Sequence, residues 1–408
     1  MLFTAAALCV CSHGAWALDW DLPLDIDLIK VHFNHDTGST ASDGITIQKN
    51  KTTITAPEYY PAASKNDECA YLMSVTAPTV KAEFYAYDLW QGYSNVSVIT
   101  DSTDVWRLSE STMTFQPSGA SGPVSFNTNA NYQQAGSVGK YPFTWSWMVT
   151  KIDGDPVTPS LIGKSGHVMY NVLDTPNAPM DTTWVEVLDY ACVWAQGETT
   201  ATGAAEEITK GIYNDLGLFY DKYLQHPEYG PIEDGTFSLS DFLADISEYD
   251  SIGVLCYDMG QIVHIFGNAV GCNMTYRISY RHYGYSFGYY NCIKLIGWPD
   301  WTNNHKYGMV DYSPLMVVGG DDSYGRAYFS NHAFAAIGDA SNPQYVYDAC
   351  MKVDTDANPD YGPPFTESWL TGESWNIYSG TYNQKVIDTY PTHDDPTGPA
   401  EIFPITVE

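Results

Sequence analysis

One stretch of the sequence, residues 253–271, constrains the fold more than any other. Its apolar residues recur at steps of three and four, the period of one helix face: Met259, Ile262, Val263, Phe266 and Val270. Gly271 then supplies a helix-stop signal, so the pattern predicts a helix over residues 256–270. Cys256 would open that helix, where unpaired backbone N–H groups and the helix dipole favour a thiolate. The alternative for such a cysteine is a small buried hydrophobe.

A second stretch, residues 332–350, supplies the partners that a cysteine nucleophile needs. It reads as two short strands around a turn-rich segment. With the turn centred near Ala340, His332 lies directly across the hairpin from Asp348, with Cβ atoms about 5 Å apart. A carboxylate at that distance can hold one imidazole nitrogen and leave the other to act as a base. Cys256, His332 and Asp348 are therefore predicted as a catalytic triad. The alternatives are a structural histidine and a solvated carboxylate.

The order and spacing of these residues resemble those of the transglutaminase-like domain, a branch of the papain-like cysteine enzymes. In that family the nucleophile opens a helix, a glycine closes it about fifteen residues later, and histidine and aspartate follow on successive strands. Here Cys256 and Gly271 are fifteen residues apart, and His332 and Asp348 are sixteen apart. The resemblance covers residues 185–355. It implies an α+β catalytic fold and acyl transfer from an amide.

Length and strand pattern predict two folded domains behind a secretory signal. Residues 1–17 have a short apolar core and a small-x-small cleavage pattern, so the protein is expected to be secreted, periplasmic or on the cell surface. Residues 18–176 contain short alternating segments separated by turn residues, which predicts an immunoglobulin-like β-sandwich. Residues 177–183 are the predicted linker. Residues 184–408 combine helices and strands and form the predicted α+β catalytic domain.

Three further helices are predicted between the linker and Cys256. Thr183 and Glu186 have the spacing of a capping box at the start of the first. The second is predicted over residues 204–216 and the third over residues 240–249, each from apolar residues at helical steps.

Charge restricts the partners. The chain of 408 residues has a formal net charge of −31 at pH 7. Such an acidic surface repels nucleic acid and anionic lipid, so neither is expected as a partner. No segment is long and apolar enough to span a bilayer. The expected partner is a protein or peptide substrate that presents an amide carbonyl.

An acidic segment after the second strand resembles a calcium loop. Asp354, Asp356, Asn358 and Asp360 place oxygen ligands at alternate positions. The sixth position of this loop is Pro359 instead of the usual glycine, and a plain acidic loop is the alternative. The triad chemistry requires no cofactor, so calcium here would be a structural ion.

Two classes of function remain open at this level. In the first, Cys256 attacks an amide carbonyl, His332 protonates the leaving amine and Asp348 orients the imidazole. Water would then resolve the thioester, as in a peptidase or amidase, or an amine would do so, as in a cross-linking transglutaminase. In the second, the protein is a secreted binding or surface-assembly protein with an inert fold. A disulfide at Cys256 would exclude the first class.

Overall fold

The computed structural model describes fourteen parts of the chain: 25–33, 44–75, 78–87, 95–101, 107–128, 136–221, 224, 226–280, 293–299, 331–339, 342–355, 366–374, 381–386 and 400–408. The predicted signal peptide, residues 1–17, lies outside them. The described residues are rich in strands and include helices, which confirms the mixed α and β class predicted from the sequence. No helix among them is long and apolar enough to cross a membrane.

The described residues of the first half form strands and one short 3₁₀ helix, Pro61–Ala63. The strands are β1 Ile26–Phe33, β2 Ile47–Lys49, β3 Thr52–Ile54, β4 Glu58–Tyr60, β5 Lys65–Asn66, β6 Cys69–Leu72, β7 Thr79–Ala86, β8 Asn95–Asp101, β9 Ser111–Thr114, β10 Val124–Asn127, β11 Gly139–Ile152 and β12 Asp155–Val172. One sheet has the order β10-β7-β1-β4-β5 and the other β6-β12-β11-β8-β9. Aromatic rings join the two sheets, with centroids 5.8 Å apart for Phe33 and Trp145 and 5.5 Å for Phe84 and Trp147. The sheets therefore enclose one apolar core, as in a β-sandwich.

The second half mixes helices and strands. They are β13 Thr183–Trp184, α1 Val185–Trp194, α2 Ala201–Asp215, β14 Leu218–Tyr220, β15 Gly235–Phe237, α3 Leu239–Glu248, β16 Ile252–Val254, α4 Cys256–Ala269, β17 Met274–Tyr280, β18 Ile293–Leu295, β19 Asn331–Asp339, β20 Asn342–Asp354, β21 Glu367–Ser374, α5 Thr381–Val386, β22 Ala400–Ile402 and β23 Ile405–Val407. An antiparallel sheet has the order β18-β20-β19-β17-β22, with β21 paired to β20. Helix α4 packs against β19, β20 and β17 of this sheet.

Helix α4 is the centre of the second half. The sequence predicts one apolar face, but every residue from Cys256 to Ala269 is buried. The polar residues of the other face are buried because they bond to loops. The side-chain amide of Gln261 donates to the Pro231 carbonyl at 2.7 Å, and that of Asn268 donates to the Ala178 carbonyl at 2.6 Å.

The end of α4 is where the sequence places it. Gly271 has a φ of +86°, in the left-handed region that favours glycine, and follows the C-cap residue Val270. A Cβ at Gly271 would lie 2.5 Å from the carbonyl oxygen of Asp174. Glycine is therefore required here both by the backbone conformation and by the close approach of another segment.

The predicted linker packs against α4. The Asn177 N–H donates to the Asn268 carbonyl at 3.1 Å, and Met180 is fully buried. The predicted capping box does not form, since the N-cap of α1 is Trp184 and Thr183 belongs to β13. The reason is tertiary: Thr183 pairs with β2, and the carboxylate of Glu186 accepts an N–H bond from that β2–β3 hairpin.

Candidate active site

The predicted nucleophile lies where the sequence places it. Cys256 is the first residue of α4 and is fully buried, and the N-cap residue Leu255 is extended. Cys256 is one of the described cysteines with a free thiol, together with Cys192, Cys272 and Cys350. Cys256 is thus a free thiol at the positive end of a helix of fourteen residues.

Asp258 fixes the start of this helix. Its carboxylate accepts N–H bonds from Leu255 at 3.0 Å, Tyr229 at 3.0 Å and Glu228 at 3.2 Å. Burial raises the pKa of Asp258 to about 6, although these backbone donors act to lower it. Asp258 therefore fastens the segment around residue 229 to the turn that carries Cys256, a larger role than interaction with the helix dipole alone.

His332 and Asp348 form the pair predicted from the sequence. The Nε2 atom of His332 lies 2.8 Å from Oδ2 of Asp348, and both side chains are buried. Burial of the imidazole lowers the pKa of His332. The negative charge and hydrogen bond of Asp348, together with the nearby Cys256, raise it by more, so the pKa of His332 is about 10. Cys256 lies close enough to the imidazole to interact with it electrostatically. The structure thus brings all three predicted residues together.

The hairpin register differs from the expectation. The sequence predicts that His332 stands opposite Asp348, a register in which Phe334 would face Val346. In the structure Ala336 faces Val346, a shift of two residues. The pairing slips between Ile337 and Gly338, whose φ of +125° belongs to a conformation that few residues other than glycine adopt. A shift of two keeps every side chain on its face of the sheet, so Asp348 reaches His332 diagonally.

A bulge aims the Asp348 carboxylate. Leu370 of β21 pairs with Asp348 of β20, and the adjacent Trp369 pairs with Lys352. One step along β21 therefore corresponds to four steps along β20. Three residues of β20 therefore bulge after Asp348. The Oδ1 atom of Asp348 accepts the N–H of Cys350 inside the bulge at 2.8 Å, which leaves Oδ2 directed at His332.

Sequence reasoning missed one residue of the site. The hydroxyl of Tyr382, on α5, donates to Oδ2 of Asp348 at 2.8 Å, and Tyr382 is fully buried. It follows Asp348 by 34 residues, and no local pattern distinguishes it among the 32 tyrosines of the chain. Only the tertiary fold brings it to the carboxylate.

Of the four predicted calcium ligands, only Asp354 lies among the described residues. Asp354 is buried, and its Oδ1 atom accepts the Thr366 N–H at 2.7 Å. The other predicted ligands, Asp356, Asn358 and Asp360, lie outside the described residues. In the part of the chain that the structure describes, no group of three or more His, Cys, Asp or Glu side chains could hold a metal ion. Calcium binding at this loop stays a prediction.

The arrangement has the parts needed for nucleophilic catalysis. A buried thiol at a helix start lies near an imidazole and interacts with it, and a buried carboxylate bonds to the Nε2 atom of that imidazole. Comparison with known proteins adds nothing to this geometry. No protein-family model matches the chain, and neither a search of curated proteins nor a search of solved structures found a match.

Proposed function

We propose that the protein is an exported cysteine-dependent acyl-transfer enzyme that acts on amide or peptide bonds. In this proposal an immunoglobulin-like β-sandwich precedes a transglutaminase-like catalytic domain of papain-like architecture. The observation that carries the proposal is the buried grouping of Cys256 with the hydrogen-bonded pair of His332 and Asp348. The free state of Cys256 removes the disulfide that would have excluded catalysis.

The pKa of His332 sets the direction of the first proton transfer. With a pKa of about 10, the imidazole of His332 is protonated at neutral pH. In this proposal the nucleophile is the thiolate form of Cys256. The thiolate attacks the amide carbonyl, and the backbone N–H of Cys256 is placed to stabilise the resulting oxyanion. His332 gives its proton to the leaving amine as the C–N bond breaks, which leaves a thioester on Cys256 and a neutral imidazole.

The second half of the reaction restores both groups. The neutral imidazole of His332 takes a proton from water, and the hydroxide oxygen bonds to the thioester carbonyl. The C–S bond breaks, the carboxylic acid leaves, and Cys256 is again a thiolate beside an imidazolium. An amine in place of water would give a new amide by the same steps, which is transamidation. The proposed reaction is hydrolysis, with transamidation as the variant in which an amine reaches the site.

One observation favours a different class. Cys256 and His332 are both fully buried, so a substrate carbonyl has no exposed thiol to approach in this conformation. In a secreted binding or surface-assembly protein with an inert fold, Cys256 and His332 would stay buried at all times. The two candidates differ in whether Cys256 reacts with small electrophiles in solution.

The alkylation rate of Cys256 tests the proposal. We expect iodoacetamide to label Cys256 rapidly at pH 6 and pH 8, as read by peptide mass spectrometry, because in this proposal the protonated imidazole of His332 activates Cys256 at both. His332→Ala should slow the labelling at pH 6 about 100-fold, within the range of losses when an activating base is removed. Cys272 is an internal control, because it is also buried and burial raises the pKa of its thiol to about 12. Equal, slow labelling of both cysteines in the wild type would exclude the proposal.

The acyl acceptor needs a separate assay. A pool of peptides incubated with the protein and hydroxylamine distinguishes the outcomes, because hydrolysis yields acids and amine transfer yields hydroxamates. We expect acids to predominate, and Cys256→Ala should abolish both products. Hydroxamates formed to the exclusion of acids would reassign the protein as a transamidase.

A further inference from the structure

We infer that Tyr382 is a positioning residue of this site, which holds the Asp348 carboxylate in place and sets how strongly it binds His332. The inference rests on the proposed function for its catalytic meaning. Its geometric basis is independent, since it is the 2.8 Å bond from the Tyr382 hydroxyl to Oδ2 of Asp348.

The Asp348 carboxylate is held by three donors. Its Oδ2 atom lies 2.8 Å from both His332 Nε2 and the Tyr382 hydroxyl, and its Oδ1 atom accepts the Cys350 N–H at 2.8 Å. All four residues are buried, so water does not compete for these bonds. A carboxylate with donors on both oxygens cannot rotate without breaking a hydrogen bond. The plane that faces the imidazole is therefore fixed.

Tyr382 is itself anchored to the two strands of the pair. Helix α5 is tied to the end of β21 by reciprocal bonds, from the Ser374 N–H to Thr381 Oγ1 at 2.9 Å and from the Thr381 N–H to Ser374 Oγ at 3.1 Å. The Tyr382 ring also packs on Phe334 of β19, with centroids 5.4 Å apart. Phe334 is two residues from His332, so the ring contacts one strand of the pair while its hydroxyl bonds to the other.

Two donors on one oxygen compete for its charge. Each takes part of the electron density of Oδ2, so a stronger phenol donor weakens the hold of Asp348 on the imidazolium, and a missing donor strengthens it. The plain structural alternative is that a buried tyrosine has merely found an acceptor for its hydroxyl. Only the sharing of Oδ2 predicts that the hydrogen bond between Asp348 and His332 strengthens when the Tyr382 donor is removed and weakens when that donor is made stronger.

The experiment replaces the donor in both directions. Tyr382→Phe removes the hydroxyl, and site-specific incorporation of trifluorotyrosine at position 382 makes it a stronger donor. The main readout is the ¹H NMR resonance of His332 Nε2–H, assigned by its loss in His332→Ala. It should move downfield in Tyr382→Phe and upfield with trifluorotyrosine. Tyr347→Phe is the matched control, because Tyr347 is buried beside Asp348 on β20 and its hydroxyl bonds to Thr202. It should leave the resonance unmoved.

The alkylation profile gives the functional consequence. We expect Tyr382→Phe to slow Cys256 labelling roughly 10-fold, because the His332 imidazole is no longer held in the right orientation. In a plot of labelling rate against pH, the change that accompanies deprotonation of His332 should move about half a pH unit upward in this variant. With trifluorotyrosine the same change should move downward.

The two proposals fail separately. Shifts in the same direction for both Tyr382 variants, or a resonance that neither variant moves, would overturn the role of Tyr382. Should Tyr382→Phe not fold, the trifluorotyrosine protein decides the question alone. Cys256 labelling that is the same in wild type and His332→Ala would instead overturn the proposed function. In that case the NMR shifts still report whether Tyr382 positions the His332–Asp348 pair.

Discussion

At the scale of single residues, His332 links the charge of the site to the stability of the fold. Its pKa in the folded protein, about 10, lies above the ordinary value of 6.5, so the folded state binds the proton more tightly than the unfolded state. This stabilisation is fully present below pH 6.5 and is lost as the pH rises through 10.

We therefore expect the free energy of unfolding to fall between pH 7 and pH 10.5 by more in the wild type than in His332→Gln. Urea denaturation across this range measures the difference. His264→Gln is the control, because burial lowers the pKa of His264 to about 4, and its contribution is lost only as the pH falls. A wild-type advantage over His332→Gln that does not change with pH would contradict the linkage.

Asp258 makes a second prediction at this scale. Asp258→Ala leaves the buried N–H groups of Leu255 and Tyr229 without their acceptor, at a cost of about 3 kcal/mol of unfolding free energy. Asp258→Asn should recover part of this loss, because its carbonyl oxygen still accepts. The exposed Asp250→Ala should change stability by less than about 0.5 kcal/mol. Urea denaturation at pH 7 ranks the three variants, and equal stability of the Asp258 and Asp250 variants would refute the anchoring role.

At the scale of elements, the packing of α4 on β19 sets the distance between nucleophile and base. Gly260 lies one turn after Cys256, and a Cβ there would be 3.0 Å from the Phe334 nitrogen and 3.2 Å from its Cα. Phe334 is two residues from His332 on the same strand. The absence of a side chain at Gly260 therefore brings the helix that carries Cys256 close to the strand that carries His332.

We predict that Gly260→Ala destabilises the fold by about 1–3 kcal/mol and slows alkylation of Cys256, because backbone cannot yield as a side chain can. Helix propensity alone predicts the opposite, a gain of about 1 kcal/mol. Gly203→Ala in α2 is the comparison, since the nearest atom to its added Cβ is the end of the flexible Glu198 side chain. It should be neutral or stabilising. Thermal unfolding and alkylation rates test both, and equal behaviour of the two variants would contradict the close-approach explanation.

The same elements show what local sequence can predict. Periodicity and one glycine were enough to predict a helix over residues 256–270, where the structure has α4, and alternation was enough to predict the hairpin of β19 and β20. The register was wrong by two, because Gly338 pairs with Pro343, one residue beyond its predicted partner, and the slip between Ile337 and Gly338 adds the second residue. The bulge after Asp348 and the bond from Tyr382 were not predictable at all, because both depend on contacts between segments distant in sequence.

At the scale of the molecule, the two halves share side chains. The apolar core around α4 includes five residues from the first half: Ile47, Ala70, Val138, Tyr170 and Val172. The hydroxyl of Tyr170 donates to Asp189 of α1, and Lys140 of β11 lies 2.6 Å from the same carboxylate. Alternation along β12 predicts a strand, but it does not reveal that the end of this strand belongs to the second core. Residues 174–183 thus cross a packed interface.

This sharing predicts one cooperative unfolding transition for both cores. Val98 is buried in the sandwich core and Val172 in the core around α4. Val98→Ala and Val172→Ala should each cost about 2 kcal/mol and lower the same single calorimetric transition. Independent domains joined by a loose linker would instead give two transitions, each shifted by one variant only. Limited proteolysis is a second test. A packed segment at residues 174–183 should resist cleavage up to the temperature of the unfolding transition, whereas a loose joint would be cleaved at temperatures well below it.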